Sequence, residues 1–359
     1  MRVLIVGAGI AGLALAALLA RAGRPATVLE REAAPDPGGA GIQLSPNATK
    51  VLGGIDVLAE IRERAVRPEG ITLLDGRDNR LLSRFELGNA VEDRYGSPYL
   101  LCARAALRDV QARAAGASTL VEYGRPLEGL ETRPDCVVAR YGSRERPFDV
   151  VVGADGVNSG VRRFVRGARV PQATGFTAWR KDGTREKAAA ETLVRLMPYE
   201  HRIEYPIGER TNAVWLRREG ERGPEGDWTP WIVREIASGS SWSDGRIVLI
   251  GDAAHAMAPY AAQGGALALE DAAVLAAMLS SGRAVEAALA GFVEARRGRV
   301  EQIARLTTAN RRIYHANGLR RLARNLAMRV APQHVLQARM AFVYGWTPPD
   351  VIRFRAPMR

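Results

Sequence analysis

A glycine-spaced turn near the start of the chain constrains the fold more than any other feature. Residues 2–6 (Arg-Val-Leu-Ile-Val) are a short apolar run, which predicts a buried parallel strand. The turn Gly7-Ala8-Gly9-Ile10-Ala11-Gly12 follows, then an apolar helix over 13–21 that Gly23 ends, then a second strand over 26–30. In a GxGxxG turn of this kind the first glycine permits the sharp bend and the second lets backbone approach a pyrophosphate. The third lets helix pack close on strand. The helix N-terminus then offers free N–H groups and the positive end of its dipole to phosphate. Glu30, at the end of the second strand and about 18 residues past Gly12, stands where an acidic residue binds ribose hydroxyls. These features together predict a dinucleotide site, without saying which dinucleotide.

Further along, 48–64 reads as helix and 71–87 as a hairpin, with turn residues at Asp75-Gly76 and Asp78-Asn79. A helix is predicted over 103–115, strands within 121–140 and over 149–152, and turn-rich strands from 175 to 242. A buried strand over 246–250 precedes an Ala-rich helix over 264–279. An Arg-rich helical pattern then runs from 285 to about 329. At 359 residues the chain is long enough for two domains.

Two later elements narrow the dinucleotide. Asp149-Val-Val-Val-Gly153-Ala-Asp155-Gly156 and Arg246-Ile-Val-Leu-Ile-Gly251-Asp252 are each an apolar strand ending in glycine and aspartate. A small residue there admits a ligand, and the carboxylate can accept from a sugar-like hydroxyl. After the second come Pro259 and then Gln263-Gly264-Gly265, which opens another helix. GxGxxG, the DG element and the GD element, in this order, resemble the three fingerprints of the class A flavoprotein monooxygenases, the para-hydroxybenzoate hydroxylase-like family. The salicylate hydroxylase and hydroxynicotinate monooxygenase branch is the most similar, through 39–48 (Gly-Ala-Gly-Ile-Gln-Leu-Ser-Pro-Asn-Ala), 251–271 and Tyr344-Gly345-Trp346.

The resemblance implies an α/β fold: a Rossmann-type FAD-binding domain (1–70, 98–172 and 244–320), an inserted β-sheet substrate domain (71–97 and 173–243) and a C-terminal helical segment (321–359). It implies FAD as cofactor and NADH or NADPH as electron donor. The reaction it implies is hydroxylation of a small aromatic substrate, a phenolic acid, by O2 through a flavin hydroperoxide. Gly7, Gly9, Ala11 and Gly12 would cradle the pyrophosphate, and Glu30 with Arg31 would border the adenosine ribose. Arg104 and Asp155 would contact FAD, and Asp252 the ribityl chain. Gly264 and Gly265 would line the far edge of the flavin; Gly41, Gln43 and Pro259 would also contact the cofactor, with Gln43 and Pro259 at the border of the substrate pocket.

The catalytic candidates are His201 and Tyr205. In a strand, residues i and i+4 share a face, so both are expected to open into one cavity with Ile203 between them. His201 would take the phenolic proton and Tyr205 would bond a hydroxyl or carboxylate; the bland alternative is an exposed histidine and a core tyrosine. Arg180 or Arg202 could hold a substrate carboxylate. His255, beside the GD turn, suits a structural hydrogen bond better than a base. His315 and His334 read as surface residues.

Relatives usually carry more chain near 183–191 and 212–231, which bears on the cavity wall and the NAD(P)H approach. Trp228-Thr-Pro-Trp231 lacks the spacing of a flavin-dependent halogenase. The remaining alternatives are a flavin-dependent oxidoreductase of other chemistry on the same fold (a reductase, a dehydrogenase or a natural-product tailoring enzyme), a flavin-binding protein with impaired catalysis and a membrane-associated quinone-ring hydroxylase. For the last, the Arg-rich helices after Arg296 would rest on anionic lipid; they could equally form a homodimer face or a solvated surface. The formal net charge is +12, and Lys occurs only at 50, 181 and 187. That field suits anionic substrates, or is simply an Arg-rich surface; no motif points to nucleic acid. Two cysteines make no disulfide framework or metal spacing, and no apolar stretch is long enough to span a membrane. These features fit a cytoplasmic protein with no metal.

Overall fold

The computed structural model describes residues 1–35, 40–184 and 190–349, with only the backbone of 184, 333–336 and 339. A six-stranded sheet runs in the order Ser243–Asp244, Ile247–Leu249, Val150–Gly153, Val3–Val6, Ala26–Leu29, Leu120–Glu122. Its inner pairings are parallel, with Val3 beside both Val150 and Ala26. Val3, Leu4, Ile5 and Val150–Val152 are almost wholly buried, which explains runs that are apolar throughout and do not alternate. The helix Ile10–Arg21 packs between Arg104–Ala115 and Gly264–Ser280. It is buried on nearly every side, so its sequence is apolar all round.

Because all its strands but Ser243–Asp244 are parallel, their C-terminal ends lie along one edge. Ligands bind at that edge in open α/β sheets. Gly7 follows Val6, Glu30 follows Leu29, Ala154-Asp155 follow Gly153, and Gly251-Asp252 follow the Ile247–Leu249 strand by two residues. Motifs far apart in sequence are thereby brought together.

A second, seven-stranded sheet runs in the order Thr229–Glu235, Gln172–Thr184, Arg210–Arg218, Glu200–Ile207, Glu191–Met197, Gly70–Asp75, Leu81–Glu86. It takes strands from both stretches expected in the inserted domain. Its pairings are antiparallel except Glu191–Met197 with Gly70–Asp75. A two-stranded ladder, Gly41–Leu44 with Leu100–Ala103, lies at the junction, where the Tyr205 ring covers Gly41.

Three local expectations need correction. The helix expected over 48–64 is two, Pro46–Gly54 and Leu58–Arg64, because Gly53-Gly54 weaken the first and Asp56 adopts φ 57°. The strand region 121–140 is divided, and 129–148 forms a three-stranded antiparallel sheet of its own. The helical pattern of 285–329 breaks at 315–317 into Val285–Tyr314 and Gly318–Val330. A last helix, Gln333–Tyr344, falls in the segment expected to be helical; 350–359 lie outside the described residues.

Candidate active site

The GxGxxG turn has the shape of a phosphate cradle. A Cβ on Gly7 (φ 107°) would stand 2.5 Å from the Ala154 carbonyl oxygen, and one on Gly12 would stand 2.0 Å from the Gly7 carbonyl oxygen. Neither position admits a side chain. Gly9 is the opposite: a Cβ there meets nothing within 4 Å, so this backbone faces open space in which a pyrophosphate fits. Ala11 is buried in the helix that follows, against Gly251 of the GD turn.

Glu30 accepts from the backbone N–H of Ala8 (2.8 Å) and of Glu32 (3.1 Å), which fixes its carboxylate at the strand end. It borders a cavity of about 100 Å3 walled by Ala8, Leu13, Arg108, Asp109 and Tyr123, placed as an adenosine site would be. Arg31 is exposed, pairs with Glu32 (3.1 Å) and does not line that cavity. Arg104, exposed, opens its helix and donates its backbone N–H to the Ala40 carbonyl.

Asp155 accepts from the N–H groups of Gly160 (2.7 Å) and Val161 (3.1 Å) through Oδ2, while Oδ1 is buried without a hydrogen-bond partner among the described residues. Asp252 is exposed at the start of a short helix, with Oδ1 3.7 Å from where a Gly264 Cβ would be. Gly265 has no room for a Cβ because Ile42 fills the space. An open backbone at Gly9, an unpartnered carboxylate oxygen at Asp155 and an exposed carboxylate at Asp252 on one edge fit FAD. Gly7, Gly9 and Gly12 would hold its pyrophosphate, Glu30 its ribose and Asp252 its ribityl hydroxyls.

Residues not singled out from the sequence hold this edge together. The buried Arg162 donates to the carbonyls of Ala253 (Nε 3.0 Å, Nη2 2.9 Å) and Val157 (2.8 Å), joining the DG and GD turns. Asp271, wholly buried, accepts from the Gly251 N–H (2.8 Å), His255 Nε2 (2.6 Å) and Arg296 Nε (2.8 Å). Burial alone would raise the Asp271 pKa. The charges of His255 and Arg296, with the hydrogen bonds from His255 and Gly251, more than offset this and hold it at about 2. The neighbouring Glu270 is paired with Arg296 (2.7 Å) and Arg299 (2.8 Å) and accepts from Asn47 (2.6 Å). His255 thus has the structural bond its position suggested. Arg162 and Arg296 gave no signal in a chain with so many arginines.

A second cavity, about 180 Å3, lies between the seven-stranded sheet, the 259–262 segment and the C-terminal helices. Gln43 and Pro259 line it. Its walls are mostly apolar, with Ile71, Leu73, Val194, Ile203, Leu306 and Met340 among them. Among the polar residues of the lining are Gln43, Glu86, Asn310 and Gln337; Tyr99 Oη donates to Gln43 Oε1 (2.7 Å), and the buried hydroxyls of Thr192 and Tyr260 have no partner among the described residues. Arg94 is the one cationic side chain among the described residues of the lining.

The expectation that His201 and Tyr205 open into one cavity is not met. They share a strand face with Ile203, but only Ile203 lines the cavity. His201 is fully buried, its Nδ1 2.9 Å from His315 Nε2, its ring 5.2 Å from those of Tyr260 and Tyr314. Tyr205 is spent against Gly41. His315 is buried rather than on the surface, because the end of the Val285–Tyr314 helix turns it under the sheet against Phe176. The side chain of His334 lies outside the described residues. Arg202 is held by Glu204 and Arg180 lies over Trp231, and neither reaches the cavity.

The comparisons agree with this geometry. The family model described as "FAD binding domain" matches residues 1–192 and 228–307. The chain is 30% identical to a 3-hydroxybenzoate 6-hydroxylase of Klebsiella oxytoca over 99% of each chain. It is 30% identical to a 6-hydroxynicotinate 3-monooxygenase of Bordetella bronchiseptica over 76% of this chain and 81% of the other. Klebsiella pneumoniae HpxO, solved with FAD and uric acid, superposes with a TM-score of 0.86 at 21% identity, covering 97% of each chain. Among the described residues no helix is long and apolar enough to cross a membrane, and no cluster has the makings of a metal site. The chain belongs to the FAD binding domain family and is a class A FAD-dependent aromatic monooxygenase.

Proposed function

We propose that the chain hydroxylates a small phenolic acid seated in the 180 Å3 cavity, in the manner of the hydroxybenzoate hydroxylases it resembles. The observation that carries this reading is the pair of buried hydroxyls of Thr192 and Tyr260, unpartnered among the described residues, on two residues that line a mostly apolar cavity. An unpaired buried hydroxyl costs free energy unless a ligand completes it. Burial pushes the Tyr260 phenol well up, so at neutral pH it keeps its proton and donates to a substrate oxygen. Arg94, its guanidinium 5.6 Å from the Tyr95 ring centroid, stands at the rim for a carboxylate.

Bound FAD supplies electron transfer from NADH or NADPH and the activation of O2. The chain orients the ring and keeps water away from it: Ile71, Leu73, Val194 and Met340 furnish dry walls. His201 and Tyr205 act through their neighbours in this reading. Tyr260 and Tyr314 are the cavity residues against which His201 packs, and Tyr205 seats Gly41 two residues before Gln43.

The test is NADH and NADPH oxidation by the FAD-loaded protein with 3-hydroxybenzoate, salicylate and 6-hydroxynicotinate, with hydroxylated product and peroxide measured together. Product matching the reductant consumed supports the reading. Consumption unaffected by every ring acid, in protein that keeps its flavin, sinks it.

A further inference from the structure

The helix Gly318–Val330 is built inside out. Its apolar residues Leu319, Leu322, Leu326 and Val330 are 84%, 57%, 64% and 69% exposed. Its polar residues Arg324 and Asn325 are buried. At about 100° per residue the four apolar side chains fall in one arc centred on the outer face. Arg320 borders that arc on one side and Arg329 on the other, both exposed. A soluble helix normally turns such a stripe inward.

This orientation is fixed by specific bonds. Asn325 Nδ2 donates to Asp75 Oδ2 (2.6 Å), and Arg321 Nη2 donates to the same oxygen (2.8 Å). Arg324 Nη1 donates to the carbonyls of Ile313 and Tyr314 (both 3.1 Å), which lie at the end of the preceding helix. Rolling the leucines inward would strand these groups, so the stripe stays outside and must be covered by something else.

We propose that this helix docks the protein on an anionic lipid surface, lying in the interface with Leu319, Leu322, Leu326 and Val330 among the acyl chains and Arg320 and Arg329 at the headgroups. Charge decides the occupant. Between Glu301 and Asp350 the sequence has eight arginines and no Asp or Glu. A two-fold contact with a second copy would set one arginine border against another, whereas an anionic surface neutralises both. The same helix places Met328 in the cavity lining, so docking sets one cavity wall beside the lipid.

The experiment is co-sedimentation of the full-length, FAD-loaded protein with phosphatidylglycerol/phosphatidylcholine vesicles and with pure phosphatidylcholine, run beside Leu322→Gln/Leu326→Gln and Arg320→Gln/Arg329→Gln. Solution mass and flavin content are measured for each. Binding to the anionic vesicles alone is expected, reduced by salt, weaker by about tenfold per leucine replaced, and less salt-dependent in the arginine variant. No sedimentation with anionic vesicles overturns the proposal, as does equal binding by the leucine variant. A wild-type dimer that the leucine variant splits, without vesicle binding, assigns the stripe to a second copy instead.

Discussion

Arg162 and Ala253 are joined by two hydrogen bonds, from Nε at 3.0 Å and Nη2 at 2.9 Å to a single carbonyl oxygen. Through this contact a 3-10 turn after the DG element holds the first helical residues of the GD element. Burial lowers the Arg162 pKa, and Asp155 and Asp252 oppose that shift. The guanidinium is therefore a structural cation between two carboxylates suited to the cofactor. Arg162→Met keeps much of the volume but leaves buried carbonyls unpaired. The expected cost is about 2–4 kcal/mol in urea unfolding, together with weaker flavin retention. Unchanged stability and flavin content would show that the two turns hold without it.

Gly9 and Gly12 predict opposite failures. Gly9 has room and an ordinary φ of −80°, so Gly9→Glu should fold yet purify without flavin, its carboxylate occupying the phosphate space. Gly12→Ala drives a methyl against the Gly7 carbonyl and should destabilise the fold itself by about 2–3 kcal/mol. Melting temperature and flavin absorbance, read together on both variants, check the split. A yellow Gly9→Glu protein at full occupancy would remove the pyrophosphate assignment.

The cofactor edge was legible because local rules govern it. A glycine turn, a parallel strand and a terminal carboxylate have fixed spacings, and parallel pairing then brings Gly7, Ala154 and Gly251 to one edge whatever lies between them. The substrate side was less legible. Alternation places His201 and Tyr205 on one face but cannot show that Tyr260, Tyr314 and His315, from distant segments, pack over one and Gly41 under the other. Asp271 and Arg296 escaped notice for a different reason. Their meaning lies in pairing across 25 residues, between a buried helix and the inner face of its partly exposed neighbour, and each looks like one more charge in a charged chain.

The histidine pair makes the fold acid-sensitive. Burial, with His315 alongside, pushes His201 well below the ordinary imidazole value of 6.5, and burial with Arg311 and Arg218 lowers His315 to about 4. Both rings bind protons more readily in the unfolded chain. Their contribution to stability is therefore complete above about pH 6.5 and is lost as pH falls toward 4. Melting temperature should drop across that window, and His315→Gln should flatten part of the slope. A wild-type melting temperature constant from pH 7 to 4.5 would contradict it.

Tyr260 separates a ligand-binding hydroxyl from a structural one by the sign of its effects. Its Oη is buried without a partner among the described residues, and its ring walls the cavity. If a substrate oxygen completes it, Tyr260→Phe removes one hydrogen bond from the bound state, about 1 kcal/mol, and raises KM by roughly fivefold to tenfold. Stability of the substrate-free protein should be unchanged or slightly higher, because an unsatisfied polar atom has gone. Thr192→Val should behave alike. Steady-state kinetics and thermal melts on the two variants decide the matter. Lower stability with an unchanged KM would mean that the hydroxyl is held within the fold, and the polar end of the substrate would then belong beside Gln43 and Tyr99 instead.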